Sequence, residues 1–160
     1  MEKTIWYRGE IWEDIKPTLN AIQDSNWPKY EQMFAEHGDP GFTVVTKFGT
    51  GSLVQSDKPV ETNFLLYRNE IGELVAMVVF YRVDEIDSNG ARSRVTKAHF
   101  GVRPDHQRTG LATQIMVYAL ENYGEQYDYD VRKQEYTASG AAVVNTYIRE
   151  KYANSEVGAK

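Results

Sequence analysis

Cysteine is absent from the chain. That excludes disulfides, thiolate metal sites and a cysteine nucleophile, and it suits a reducing compartment. Histidine is scarce, at three residues, and none has a carboxylate at ligand spacing, so no metal centre is expected. No apolar run approaches the roughly 20 residues needed to cross a bilayer. The first residues, Met1-Glu2-Lys3-Thr4-Ile5-Trp6, have neither the basic start nor the apolar segment of a secretory leader. A cytoplasmic location is therefore expected. Positive charge is also short. A net charge of −5 argues against broad nucleic-acid binding. There are no internal repeats and no low-complexity runs, and no Ser-His-Asp arrangement is legible.

What is present is an ordinary globular composition, 41% hydrophobic and 26% charged over 160 residues. That is long enough for one domain, residues 1–160, to bury a core without covalent staples. The charge is unevenly spread. From Ala91 to Arg108, five basic residues (Arg92, Arg94, Lys97, Arg103, Arg108) face the single acid Asp105, which reads as a basic patch.

The order of elements follows from periodicity and breakers. Thr4–Trp12 reads as a first strand. A helix opened by Glu13 or Asp14 is expected to carry Ile15, Leu19 and Ile22 on one face, and Asp24-Ser25-Asn26 breaks it. Pro28 fits the first turn of a second helix, with Tyr30, Met33, Phe34 and His37 inward and Gly38-Asp39-Pro40-Gly41 as its stop. Phe42–Phe48 is a short strand or an ordered loop. Gly49–Asn63 is the least structured stretch and the candidate for a mobile loop. Phe64–Arg68 and Glu73–Asp84 read as strands joined by Asn69-Glu70-Ile71-Gly72. The near-continuous apolar run Leu74–Tyr81 makes the second of them central. Asp87-Ser88-Asn89-Gly90 is a hairpin turn into a strand over Arg92–Val102.

Next comes Val102-Arg103-Pro104-Asp105-His106-Gln107-Arg108-Thr109-Gly110-Leu111-Ala112, a tight loop feeding a helix. Leu111, Ile115, Tyr118 and Ala119 mark the apolar face of that helix, which is expected to run to about Asn122 with Gly124 as its C-cap. Pro104 ends the strand. Gly110 and Ala112 let a ligand approach the backbone where the helix begins. Unpaired N–H groups and the helix dipole there make an anion site suited to a pyrophosphate. Tyr127, Tyr129 and Val131 alternate as a fifth strand. Thr137-Ala138-Ser139-Gly140 opens a last helix, from Ala141 to about Ala153.

The pattern Val-x-Pro-x-x-Gln-x-x-Gly-x-Ala resembles the acyl-CoA signature of the GNAT superfamily of N-acetyltransferases, with Gln107, Gly110 and Ala112 in the signature places. The resemblance implies an α/β (α+β) fold. Its mixed, mainly antiparallel central sheet is flanked by helices and carries a strand–loop–helix acyl-CoA site. It implies acetyl-CoA as cosubstrate, held by Phe100, Val102, Gln107, Arg108, Thr109, Gly110, Leu111 and Ala112. It further implies direct attack of an acceptor amine on the thioester, with no covalent enzyme intermediate. In the last helix, Tyr147 falls on the family's tyrosine and is the candidate acid for the leaving thiolate, its other reading being packed core. Gly140, Val143 and Lys151 depart from the family pattern. His99 is the first choice of base, since an imidazole titrates near neutrality. Glu73, Glu85, Asp128 and Glu135 are rivals, and His106 reads as surface.

The family ends with two further strands, which are not expected before Lys160. An exposed edge at Tyr127–Val131 would then invite pairing, and a homodimer is expected, the alternative being a monomer whose Thr4–Trp12 or Phe42–Phe48 segment closes the same edge. The expected function is acetyl transfer from acetyl-CoA to a primary amine of a small molecule or protein. The alternative is a non-catalytic acyl-CoA-binding module, and a nucleobase acceptor is a third, less favoured by the acidic balance.

Overall fold

A computed structural model describes residues 5–7, 10–19, 21, 27–35, 41–48 and 61–152. They fall into two compact units, Asp24–Lys133 and a second made of Met1–Gln23 with Gln134–Lys160.

The larger unit is built on a four-stranded antiparallel sheet in the order β3-β4-β5-β6. Its strands are β3 (Gly41–Phe48), β4 (Glu61–Arg68), β5 (Leu74–Ile86) and β6 (Arg92–Val102). The segment expected as strand or loop at 42–48 is thus a strand, paired along its whole length with β4. β5 lies inside the sheet, and every residue from Leu74 to Phe80 is buried, as a continuous apolar run requires when both faces are covered. Gly72 at φ 86° and Gly90 at φ 81° supply the left-handed backbone that the two hairpin turns need.

Each sheet face has its own cover. On one side α1 (Trp27–Met33) sets Trp27 and Tyr30, with Phe34 just beyond it, against Phe64, Leu66, Met77 and Val79. Pro28 sits in its first turn, where no N–H is needed. The Arg68 guanidinium donates to the Phe34 carbonyl just past the end of this helix, a favourable place for a cation. On the other side α2 (Leu111–Ala119) packs on β5 and β6 with Ile115, Met116 and Ala119 buried. Burying one such large aliphatic side chain contributes about 1.5–3 kcal/mol.

In the second unit, two short antiparallel strands, β1 (Ile5–Tyr7) and β2 (Glu10–Trp12), precede an irregular segment, and α3 (Ala138–Tyr152) packs against β1. Thr137 caps α3. Its hydroxyl accepts from the Gly140 N–H at 3.2 Å, the usual bond to the third residue of a helix.

Five expectations are corrected. The single strand over 4–12 is two strands, β1 and β2, paired Ile5 to Trp12. The helix expected from residue 13 does not form over 13–19, and Leu19 is wholly exposed. Pro17 biases Lys16 towards an extended backbone, and Asn145 of α3 holds Ile15 as a strand neighbour would. Its Nδ2 donates to the Ile15 carbonyl at 2.9 Å, and its Oδ1 accepts the Ile15 N–H at 2.8 Å. Gly124 is not a C-cap. α2 widens into a π turn over Leu120–Gly124, and the chain leaves it through Asp128 at φ 54°. There the Tyr129 N–H bonds Gly124 O at 2.9 Å and the Asp128 N–H bonds Glu125 O at 3.0 Å, the double closure of a Schellman end.

Nor is there a fifth strand at 127–131. Tyr129 makes one isolated parallel bridge to Thr96 of β6, and the Thr96 hydroxyl donates to Tyr127 O at 2.5 Å. Tyr129 and Val131 are fully buried and Tyr127 is half-buried, so, with no strand there, the alternating aromatic strand edge expected at 127–131 does not form. The loop expected over 49–63 is already β4 from Glu61 onward. Its remainder lies outside the described residues, as do Ile22, the break at 24–26, His37, the stop at 38–40 and Ala153.

Candidate functional site

The chain leaves β6 at Val102 and is pinned at once. The Arg103 N–H bonds Val75 O at 2.8 Å, which extends the β5–β6 ladder by one step. Pro104 opens a single 3-10 turn, Pro104–His106, closed by His106 N–H to Arg103 O at 2.8 Å. Gln107 folds back, and its Nε2 donates to Val102 O at 3.2 Å. The Thr109 hydroxyl donates to His106 O at 2.6 Å. Two left-handed residues, Arg108 at φ 63° and Gly110 at φ 84°, then turn the chain into α2.

These turns leave a row of donors. The first helical bond runs from the Gln114 N–H to Gly110 O at 3.1 Å, and among the described residues no N–H from 108 to 113 reaches a backbone carbonyl. Six successive amides at a helix start, on the positive end of its dipole, are donors of the kind that bind anions, and this stretch is termed the cradle. The space in front of Gly110 is open, since an added Cβ would meet nothing within 4 Å.

The expected basic patch is largely neutralised. Arg94 pairs with Asp84 at 3.5 Å and Lys97 with Glu85 at 2.6 Å. Arg103 is held by two carboxylates. Its Nε and Nη2 donate to Asp105 at 2.7 and 2.8 Å, and its Nη1 donates to Glu73 at 3.1 Å. Only Arg92 and Arg108 of the five enter no ion pair among the described residues. Asp84 is the register partner of Arg94, and Glu85 and Glu73 reach Lys97 and Arg103 from β5 and the turn before it, so a basic run in sequence is not one in space.

The same partners set the titration of the loop. The Arg103 guanidinium, then His106, hold the Asp105 carboxyl far below the usual carboxylate range. The amide of Asn69, then Arg103, lower that of Glu73. Both acids are ionised throughout the neutral range. A lowered pKa makes Glu73 a weaker base than an ordinary glutamate, and Glu85 is engaged with Lys97. Asp128 and Glu135 are exposed.

The residues singled out from sequence are distributed as follows. Gln107, Arg108, Thr109, Gly110, Leu111 and Ala112 lie together on the cradle, and Thr113 adds a donor that the motif does not include. Phe100 and Val102 sit on one face of β6. His99 is on the opposite face by strand alternation, across from Val79 and with its ring 6.2 Å from that of Tyr30. His106 is part-exposed and bonded through Nδ1 to Asp105 Oδ1 at 2.8 Å, so it belongs to the loop's own scaffold. Tyr147 belongs to the other unit, on α3, and is 4% exposed. Sequence reading missed the Glu73–Arg103–Asp105 link. The alternation Arg103-Pro104-Asp105-His106 hinted at its local half, but Glu73 is 30 residues away.

A model of the acetyltransferase (GNAT) family matches residues 18–147. No curated protein and no solved structure matches the chain. The mixed α+β architecture, with its antiparallel sheet running through a loop into a helix, agrees with that family's fold.

Proposed function

Because the chain belongs to the acetyltransferase (GNAT) family, we propose that it transfers an acetyl group from acetyl-CoA to a primary amine of a small molecule or protein. The observation that carries the reading is the row of amides at 108–113 with no backbone acceptor among the described residues. A pyrophosphate supplies the acceptors they lack. Gln107 through Ala112 hold it, Arg108 adds charge, and Phe100 and Val102 lie along the strand that leads away from it. The residues 1–160 act as one acyltransferase domain in the cytoplasm.

The amine nitrogen attacks the thioester carbonyl carbon, a C–N bond forms and the C–S bond breaks. One proton leaves the nitrogen for a base, in this reading His99, and the departing thiolate takes a proton from the Tyr147 phenol. The products are an amide and coenzyme A, and no covalent bond to the protein forms.

Thiol release from acetyl-CoA across a panel of amines tests this. The expected result is turnover with at least one amine. Binding of acetyl-CoA without turnover on any amine would replace the enzyme with a non-catalytic acyl-CoA-binding module.

A further inference from the structure

The single acid of the cofactor loop is placed where simple electrostatics would not put it. Asp105 lies within a few residues of a cradle read as binding a polyanion, and a like charge near such a site weakens binding. Its geometry gives it another task. One carboxylate takes both Nε and Nη2 of Arg103 and also the Nδ1 of His106. Arg103, only 17% exposed in its side chain, reaches on to Glu73. Glu73 is held in turn by Asn69 Nδ2 at 3.0 Å in the β4–β5 turn. A continuous polar chain, Asn69–Glu73–Arg103–Asp105–His106, therefore ties the loop after β6 to a turn that the cradle itself does not touch.

The loop needs such a tie. Arg108 sits at φ 63°, a conformation that costs a non-glycine residue about 1 kcal/mol or more and persists only where its surroundings impose it. The His106 carbonyl takes the Thr109 hydroxyl just beyond Arg108, and the same residue is tied through its ring Nδ1 to Asp105. Asp105 thus reaches the amide row from one side and the sheet from the other.

We propose that Asp105, through Arg103 and His106, is a positioning residue that holds the amides of residues 108–113 in the geometry that binds acetyl-CoA. This rests on the acyltransferase reading. It makes a prediction of opposite sign to charge alone, because removing a negative charge beside an anion site should tighten binding if repulsion were all that Asp105 contributed.

The test is Asp105→Asn, with acetyl-CoA binding followed by calorimetry and turnover by thiol release. Kd and KM are expected to rise roughly tenfold, the factor carried by one charge-assisted hydrogen bond, while kcat at saturation stays within about twofold. Asp84→Asn removes the same charge from the Arg94 pair and should change neither constant. Unchanged or tighter binding in Asp105→Asn overturns the proposal, as does an equal loss in Asp84→Asn. If Asp105→Asn has an altered circular dichroism spectrum, Glu73→Gln serves instead. It cuts the chain at its exposed end and should raise Kd by roughly threefold, and an unchanged Kd there overturns the proposal too. Wild-type protein that fails to bind acetyl-CoA overturns the acyltransferase reading itself. Wild-type binding with an unaffected Asp105→Asn variant overturns only the positioning role.

Discussion

Gly110 combines two properties that rarely matter together. Its φ of 84° is one that a side chain disfavours, and the space its side chain would enter is open. A bulkier residue there strains the backbone by about 1 kcal/mol without a clash, so the fold tolerates the change while the cradle does not. Gly110→Asp places a carboxylate in front of the amides. Calorimetry should detect no binding of acetyl-CoA, with an unchanged circular dichroism spectrum, and an unaltered Kd would move the site elsewhere. Tyr147 poses the opposite question, because a phenol 4% exposed has the burial of a core residue. If it is the acid, Tyr147→Phe keeps the packing and lowers kcat by roughly 10²–10⁴ with little change in acetyl-CoA affinity. Wild-type turnover in that variant assigns the ring to the core.

At the scale of elements, α3 illustrates a helix acting as a strand partner. Asn145 has a poor intrinsic helix preference. Its amide satisfies both polar groups of the Ile15 backbone, as a sheet neighbour would, and the Thr18 N–H bonds Tyr136 O at 2.9 Å. Asn145→Ala should destabilise the protein by about 1–3 kcal/mol, the cost of unpaired polar groups. Amide exchange should quicken at Ile15 ahead of the sheet. Denaturation at the wild-type midpoint would show that the clamp is incidental. The π turn at Leu120–Gly124 and the left-handed Asp128 similarly redirect the chain after α2, and they leave Tyr129 one bridge to β6 in place of a strand.

For the whole molecule, the homodimer expected from the sequence requires a sheet edge open to a second chain. The expected edge at 127–131 is closed by burial of Tyr129 and Val131. The two edge strands are β6, whose outer side has one bridge to Tyr129, and β3, whose outer side has no strand partner among the described residues and whose Val44 is 38% exposed. An unpaired strand edge is a template for pairing, so antiparallel addition of a second β3 is the form the homodimer expected from the sequence would take. Light scattering coupled to size exclusion should give twice the chain mass at micromolar concentration. A mass of 18.3 kDa across a dilution series removes the dimer.

The sequence alone determined β5 and β6, the turns on either side of β5 and the loop after β6, while it left 42–48 as strand or loop and began β4 three residues late. Those features rest on local physics: continuous apolar runs in β5, glycines at left-handed turn positions, and proline at the end of β6. It also located α2 and α3 and the cradle motif, because an apolar face and a Thr137 cap are written in neighbouring residues. The tertiary structure decided the rest. Whether 13–19 became a helix depended on an asparagine 130 residues away. Whether 127–131 became a strand depended on how α2 ended. Whether five basic residues made a patch depended on which carboxylates lay across the sheet, and β-pairing brings those together over sequence distances that local pattern cannot span.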